Sequence, residues 1–197
     1  PLESANTPAL HIHAAQDLRF IREMMERSAS FTAVPGWGMI GVGGTALIAA
    51  GTAMQISGME KWLILWLGEA LVAFTLGLWA MRCKARRAQI SLWAGAGGRF
   101  MLNLLVPIAA GIPLTVVLFQ HEEIGILPSL WLLLYGIGIF TGGAFAVRVV
   151  PVMGLCFILT GIVSLFLPAV WANGVLAFGF GGLHLLFGGI IAWRYGG

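Results

Sequence analysis

The feature that most restricts the fold is a run of 45 residues near the end of the chain, 149–193, without Asp, Glu, Lys or Arg. A transmembrane helix needs about 20 mostly apolar residues, so this run is long enough for two. The segment 167–174 contains Pro168, Asn173 and Gly174, which favour a turn between the two helices. The run therefore predicts a hairpin of membrane-spanning helices.

The composition of the whole chain supports a membrane protein. Of its 197 residues, 59% are hydrophobic and 10% are charged, whereas a soluble domain has about 25% charged residues. This excludes a soluble enzyme, a disordered chain and a collagen-like repeat, and two cysteines are too few for a disulfide-rich module. Because the apolar runs are continuous and do not alternate with polar residues, they indicate helices rather than the strands of a barrel.

We predict an all-α membrane domain, residues 34–197, with six transmembrane helices arranged as three hairpins. The runs that are poor in charge place these spans at about 35–55, 62–81, 100–120, 128–147, 149–168 and 174–193.

An amphipathic helix is predicted in the arm that precedes this domain, residues 1–33. Its apolar stripe consists of Ala14, Leu18, Ile21 and Met25, widened by Phe20, Met24 and Phe31. Two interpretations stay open: the helix lies in the membrane interface, or it forms a contact between protomers. Because residues two apart do not share a helical face, His11 and His13 do not indicate a metal site.

The basic residues predict the orientation in the membrane. With the N-terminus inside, all Lys and Arg residues except Lys61 lie on the inner side, which is ten of eleven. Both termini are then cytoplasmic in a bacterial inner membrane. The tryptophans suggest two interfacial belts: Trp37, Trp79, Trp93 and Trp193 near the inner boundary, and Trp62, Trp66, Trp131 and Trp171 near the outer one. Topology and attraction to anionic lipid explain the net charge of +3, so nucleic acid is not an expected partner.

Small residues inside the spans predict close helix packing. The positions assigned to this role are Gly77, Gly138, Gly142, Ala146, Gly181 and Gly189. The even-numbered spans end at Arg82, Arg148 and Arg194, and each has a glycine five residues before its arginine, which suggests a threefold hairpin repeat. The same stripes and the arm predict a homo-oligomer, a dimer, or a contact with another membrane protein.

The stretch VMGLCFILTGIVSLFLPAVWANGVLAFGFGGLHLLFGGIIAWR, 152–194, has a glycine-rich span, a proline near the turn and a second glycine-rich span that ends at a basic residue. In this plan it resembles the repeat of the HdeD family of acid-resistance membrane proteins. The stretches AVPGWG and FGFGGLHLLFG are also similar to bacterial inner-membrane proteins. The resemblance implies a six-span fold and brings no catalytic residues with it.

Ionisable residues inside spans are candidate functional groups because the bilayer disfavours charge. Glu69 is about 12 Å along its helix from Lys61, and His184 about 15 Å from Arg194, at 1.5 Å per residue. In the repeat alignment Tyr135 matches Glu69, so Glu69, Tyr135 and His184 are predicted to form one buried polar cluster. For His184 a bond to a carbonyl or hydroxyl, a haem or pigment ligand, and a proton pathway stay open. Glu69 is either structural or functional.

These residues support three functional hypotheses. The first is a non-enzymatic membrane protein that acts through interaction, regulation or stress response. Its inner contact surface for lipid or a partner would be the arm and Arg82, Lys84, Arg86, Arg87 and Arg99. The second is a small transporter or channel that uses Glu69 and His184, and the third is an accessory subunit of a redox or pigment-binding complex. The chain has no nucleophile–base–orienter set and no GxxxxGK[ST], HExxH or CxxCH motif, so we expect no enzymatic activity, no metal and no cofactor.

Overall fold

A computed structural model describes residues 17–18 and 31–196, and in these residues the protein is helical and has no β-strand. Of the predicted arm, residues 1–33, the structure describes residues 17–18 and 31–33, so the rest of its predicted amphipathic helix lies outside the described residues. The helices are α1 (Gly36–Ala53), α2 (Met59–Arg87), α3 (Gly95–Gln120), α4 (Leu127–Gly143), α5 (Val149–Ser164), α6 (Ala172–Leu176) and α7 (His184–Tyr195). A π-helical segment (Ala177–Leu183) joins α6 to α7, and 3₁₀ turns (Ile124–Ile126 and Ala169–Trp171) precede α4 and α6.

Four of the helical stretches are long and apolar enough to cross a membrane: α2, α3, Ile124–Gly143 and Ala169–Tyr195. This confirms the predicted all-α class and the prediction of membrane-type helices. The helices α1 and α5 occupy the other two predicted spans, but they are shorter, with 18 and 16 residues.

The most extensive helix contact joins α4 to α5, and glycines form it. A Cβ atom on Gly154 would lie 2.4 Å from the backbone nitrogen of Phe140, and one on Gly136 would lie 2.8 Å from that of Ile158. Only glycine permits this approach, because a methyl group at either position would overlap the main chain of the neighbouring helix. The chain therefore reverses direction at 144–148, and α4 and α5 form a closely packed helix pair.

A second close contact joins α1 to the final helical stretch. A Cβ atom on Gly43 would lie 2.8 Å from the Gly181 carbonyl oxygen, and one on Gly36 would lie 2.3 Å from the Ala192 nitrogen. The helix α2 then packs on the other side of α1, and α3 packs on α4. The first two predicted hairpins are thus neighbouring helices, whereas α5 packs chiefly on α4 rather than on the final stretch.

The small residues assigned to packing have different surroundings. Cβ atoms on Gly138 and Gly142 would lie 3.1 and 3.0 Å from carbonyl oxygens of α3, and one on Gly181 would lie 2.4 Å from Leu47. By contrast, no described atom outside its own helix backbone lies within 4 Å of a Cβ on Gly189, and for Gly77 the nearest such atom is Val42 Cγ2 at 4.0 Å. Ala146 follows the end of α4 and pairs with Phe31.

Phe31 differs from its predicted place on a helical stripe. Its backbone is bridged to Ala146, and its N–H donates to the Phe145 carbonyl at 2.7 Å. Its fully buried ring stacks on Phe100 with 5.1 Å between ring centroids. The segment before Pro35 is extended here because Phe31 fills a gap between helix ends, and this tertiary contact outweighs its helical spacing with the arm residues.

Candidate ligand-binding cavity

A cavity of about 410 Å³ lies between α2 and α3. These helices follow each other in the chain, and both are described in full, yet they do not pack extensively against each other. The cavity is only partly enclosed, and it opens at the gap between them. Its floor comes from α1, α4, α5 and the final helical stretch.

Most of the cavity wall is apolar, and its polar side chains are few. Besides two tryptophans they are Glu69, Thr115, Tyr135 and His184. The three residues of the predicted cluster thus line the same cavity, although they come from α2, α4 and α7. This is the arrangement of a small-molecule site, where apolar walls carry a few placed polar groups.

Tyr135 and His184 are joined by a hydrogen bond of 2.8 Å between the hydroxyl and Nε2. His184 Nδ1 lies 2.9 Å from the Phe180 carbonyl oxygen, which can only accept. Nδ1 therefore carries a proton, and in the neutral imidazole Nε2 accepts from the Tyr135 hydroxyl. Both imidazole nitrogens are thus engaged, so a haem iron or pigment metal could bind Nε2 only by displacing Tyr135.

The π-helical segment places this pair. It widens the helix immediately before His184, and such wider turns are frequent at functional sites. The rings of Phe157 and Phe180 contact both His184 and Tyr135, with centroid distances between 4.9 and 6.3 Å. Packed aromatic rings therefore hold the pair.

Glu69 is separate from this pair. Its Oε1 is buried and has no hydrogen-bond partner among the described residues. The carboxyl group interacts with the side chain of Thr45 on α1, whose hydroxyl donates its hydrogen to the Val42 carbonyl at 2.9 Å. The structure thus brings Tyr135 and His184 into contact and places Glu69 elsewhere on the same wall.

Two tryptophans of the cavity wall, Trp66 and Trp131, form a cluster with the neighbouring Trp62. The rings of Trp62 and Trp131 stack with 5.8 Å between centroids, and the indole N–H groups of Trp62 and Trp66 donate to Asn173 Oδ1 at 2.7 and 3.4 Å. The Trp131 N–H donates to the Thr115 hydroxyl at 2.9 Å. We call this set the tryptophan cluster.

The tryptophan cluster differs from the predicted outer belt. Trp66 is 3% exposed, whereas Trp171 is 59% exposed, so only part of the outer set faces the surroundings. At the opposite end, Trp37, Trp79, Trp93 and Trp193 are all exposed, as a belt requires. Trp62, Trp66 and Trp131 turn inward, where Asn173 and Thr115 accept their indole hydrogen bonds.

The residues of the predicted basic contact surface have two kinds of environment. Arg82, Arg86 and Arg87 are exposed, but the Lys84 ammonium group donates to the carbonyl oxygens of Val34, Tyr195 and Gly196. The Arg99 guanidinium lies 5.0 Å from the centre of the Phe145 ring. Lys84 thus links α2 to the C-terminal end of α7, where a positive charge also interacts favourably with the helix dipole.

Sequence reasoning missed Thr45, Thr115 and Asn173 as partners in this region. A single Thr or Asn in an apolar span indicates a local hydrogen bond and nothing about which helix it meets. Within residues 17–18 and 31–196, no group of His, Cys, Asp and Glu has an arrangement that would hold a metal ion.

No protein-family model, curated protein or solved structure matches this chain.

Proposed function

We propose that this protein is a non-enzymatic membrane protein that binds an apolar small molecule within the bilayer and acts through regulation or interaction. The observation that carries this proposal is the cavity between α2 and α3, with its apolar wall and a few polar groups. Its volume of about 410 Å³ falls in the range of about 300–1,000 Å³ that is typical of ligand sites. Its opening between two helices offers a route from the acyl chains.

A cavity-filling variant tests this proposal. Gly77 lines the cavity, and a side chain there would meet almost nothing, whereas Gly68, on the same helix, does not line it. We expect energy transfer from tryptophan to the neutral probe diphenylhexatriene to have a saturable component in the wild type. Gly77→Leu should remove this component, and Gly68→Leu should retain it. Equal transfer in both variants would contradict the proposal.

We further propose that α1 and α5 also cross the membrane, which gives six spans with both termini cytoplasmic in the inner membrane. At 1.5 Å per residue these helices are about 27 and 24 Å long, close to a hydrocarbon core of about 30 Å. Six spans also keep the exposed Arg82, Arg86 and Arg87 on the side of the arm arginines, as the positive-inside rule favours.

Reporter fusions test the number of spans by parity. If α5 crosses, an insertion after Gln89 and a fusion after Gly197 report the same side. If α5 does not cross, they report opposite sides. The N-terminus and Gln89 give the same test for α1. Opposite sides in either comparison would contradict six spans.

A transporter is the second candidate, because Glu69 and the Tyr135–His184 pair line one partly open cavity. Glu69→Gln separates the two proposals. In a transporter the substitution should abolish transport of the substrate across the membrane, whereas a binding protein should keep its fold and its partner contacts.

The proposed partners are membrane lipids, with the exposed arginines at anionic headgroups, and a second copy or another membrane protein at the exposed faces of α2 and α3. The resemblance to the HdeD family favours a role in stress response.

A further inference from the structure

We infer that the ligand of this cavity is a lipophilic organic cation whose charge is held by Glu69. This inference rests on the proposed function, since it requires that the cavity binds a small molecule. The acidic Glu69 and the aromatic residues of the cavity wall favour this class of ligand.

The charge of the cavity wall is one-sided. Among the described residues that line the cavity, Glu69 is the one acid, and none is Lys or Arg. The helix α1 packs on α2, and its Thr45 hydroxyl interacts with the Glu69 carboxyl group. A carboxylate in an apolar environment is costly unless an opposite charge compensates it, and the described wall offers none.

His184 does not supply that charge. His184 is 3% exposed, and burial disfavours a charged imidazole. Its Nδ1 donates to the Phe180 carbonyl, and in the neutral form its Nε2 accepts from the Tyr135 hydroxyl. Within the described wall, a cation that pairs with Glu69 therefore comes with the ligand.

The aromatic content of the wall suits the same class of ligand. The faces of aromatic rings attract cations, and this attraction is stronger where water is excluded. The aromatic residues that line the cavity are Trp66, Phe74, Phe100, Trp131, Tyr135 and Phe180. An acidic residue among aromatic rings therefore favours a bulky amine, ammonium or phosphonium ion over a neutral lipid tail.

A pair of ions with the same shape tests the inference. Tetraphenylphosphonium and tetraphenylborate differ in the sign of their charge, so we would measure the affinity of both by titration calorimetry in a nonionic detergent. In Glu69→Gln we expect the affinity for tetraphenylphosphonium to fall at least about 10-fold, while that for tetraphenylborate stays the same or rises. The matched control is Glu60→Gln, because Glu60 is exposed on the same helix and does not line the cavity; it should change neither affinity.

The outcomes separate this inference from the proposed function. If Glu69→Gln leaves the tetraphenylphosphonium affinity unchanged while Gly77→Leu still abolishes diphenylhexatriene binding, the cavity binds apolar molecules and the cation inference is wrong. If Gly77→Leu changes the binding of none of the probes, the proposed function fails as well. Gel filtration and the thermal midpoint of each variant establish that a loss of affinity does not reflect misfolding.

Discussion

The pair α4–α5 and the pair α2–α3 are both consecutive apolar helices joined by short connections, but they pack in opposite ways. Between α4 and α5 the glycines bring the backbones together, so that a Cβ on Gly154 would lie 2.4 Å from a neighbouring main-chain atom. Between α2 and α3 there is no comparable contact, and a cavity of about 410 Å³ takes its place. The comparison of the two helix pairs shows that glycines and alanines in a span bring helices together only where those residues face another helix.

The burial of the four long spans follows the same division. In the most apolar stretch of α2, and also of α3, 11% of residues are buried, against 39% for Ile124–Gly143 and 50% for Ala169–Tyr195. Lipid tails are as apolar as the side chains that they touch, so no hydrophobic force drives α2 onto α3. A gap between these helices can therefore persist in a bilayer and serve as an entrance.

The largest expected effect is on the closely packed pair. Gly154→Ala places a methyl group against the backbone of Phe140, and overpacking of this kind costs about 1–3 kcal/mol. The control is Gly68→Ala, where nothing lies within 4 Å of the new atom. Unfolding by SDS in mixed micelles gives both free energies, and equal stability of the two variants would show that the α4–α5 contact is looser than described.

Asn173→Ala tests whether the tryptophan cluster holds α2 to the rest of the bundle. It removes the acceptor of two indole N–H groups, and loss of a partly buried hydrogen bond costs about 1 kcal/mol. We expect lower stability and a red shift of tryptophan fluorescence. Asn103→Ala is the matched control, because among the described residues the Asn103 side chain bonds to the Arg99 carbonyl of its own helix. A spectral change as large in Asn103→Ala would contradict a specific role for the cluster.

Tyr135→Phe keeps the ring contacts with Phe157 and Phe180 and removes the hydroxyl that donates to His184. Side-chain hydrogen bonds within a membrane bundle contribute about 0.6 kcal/mol on average, and we expect a loss of that size in unfolding free energy. In a His184→Gln background the same substitution should have a smaller effect. Additive losses in this double-mutant cycle would mean that the two residues are not coupled.

The most local expected effect concerns the end of α7. Lys84→Met removes the ammonium group from three carbonyl oxygens, and a cation near a helix C-terminus stabilises it by about 0.3–1 kcal/mol. Hydrogen exchange of the last turn of α7 should increase, whereas Arg86→Met, at an exposed position, should leave it unchanged. Equal protection from hydrogen exchange in both variants would contradict the proposed role of Lys84 in holding the end of α7.

The sequence allowed much of the fold to be predicted, because apolar length and charge position determine which segments can lie in hydrocarbon. Each predicted span contains a helix. Of the predicted cluster, Tyr135 and His184 are hydrogen-bonded, whereas Glu69 is not joined to them. The partners of each helix were harder to predict: Gly138 and Gly189 have the same local composition, but only Gly138 has a close neighbour. The inward turn of Trp62 and Trp66 depends on Asn173, more than 100 residues away, and no local pattern carries that information.

The open space between α2 and α3 is the central feature of this structure, and a cryo-electron microscopy map of the protein in lipid nanodiscs would test it most directly. We predict that α2 and α3 stay apart, with non-protein density in the cavity beside Glu69, Thr115 and His184. A map in which Ala73 and Gly77 pack directly against Ile108 and Ile112, without space between them, would contradict the account.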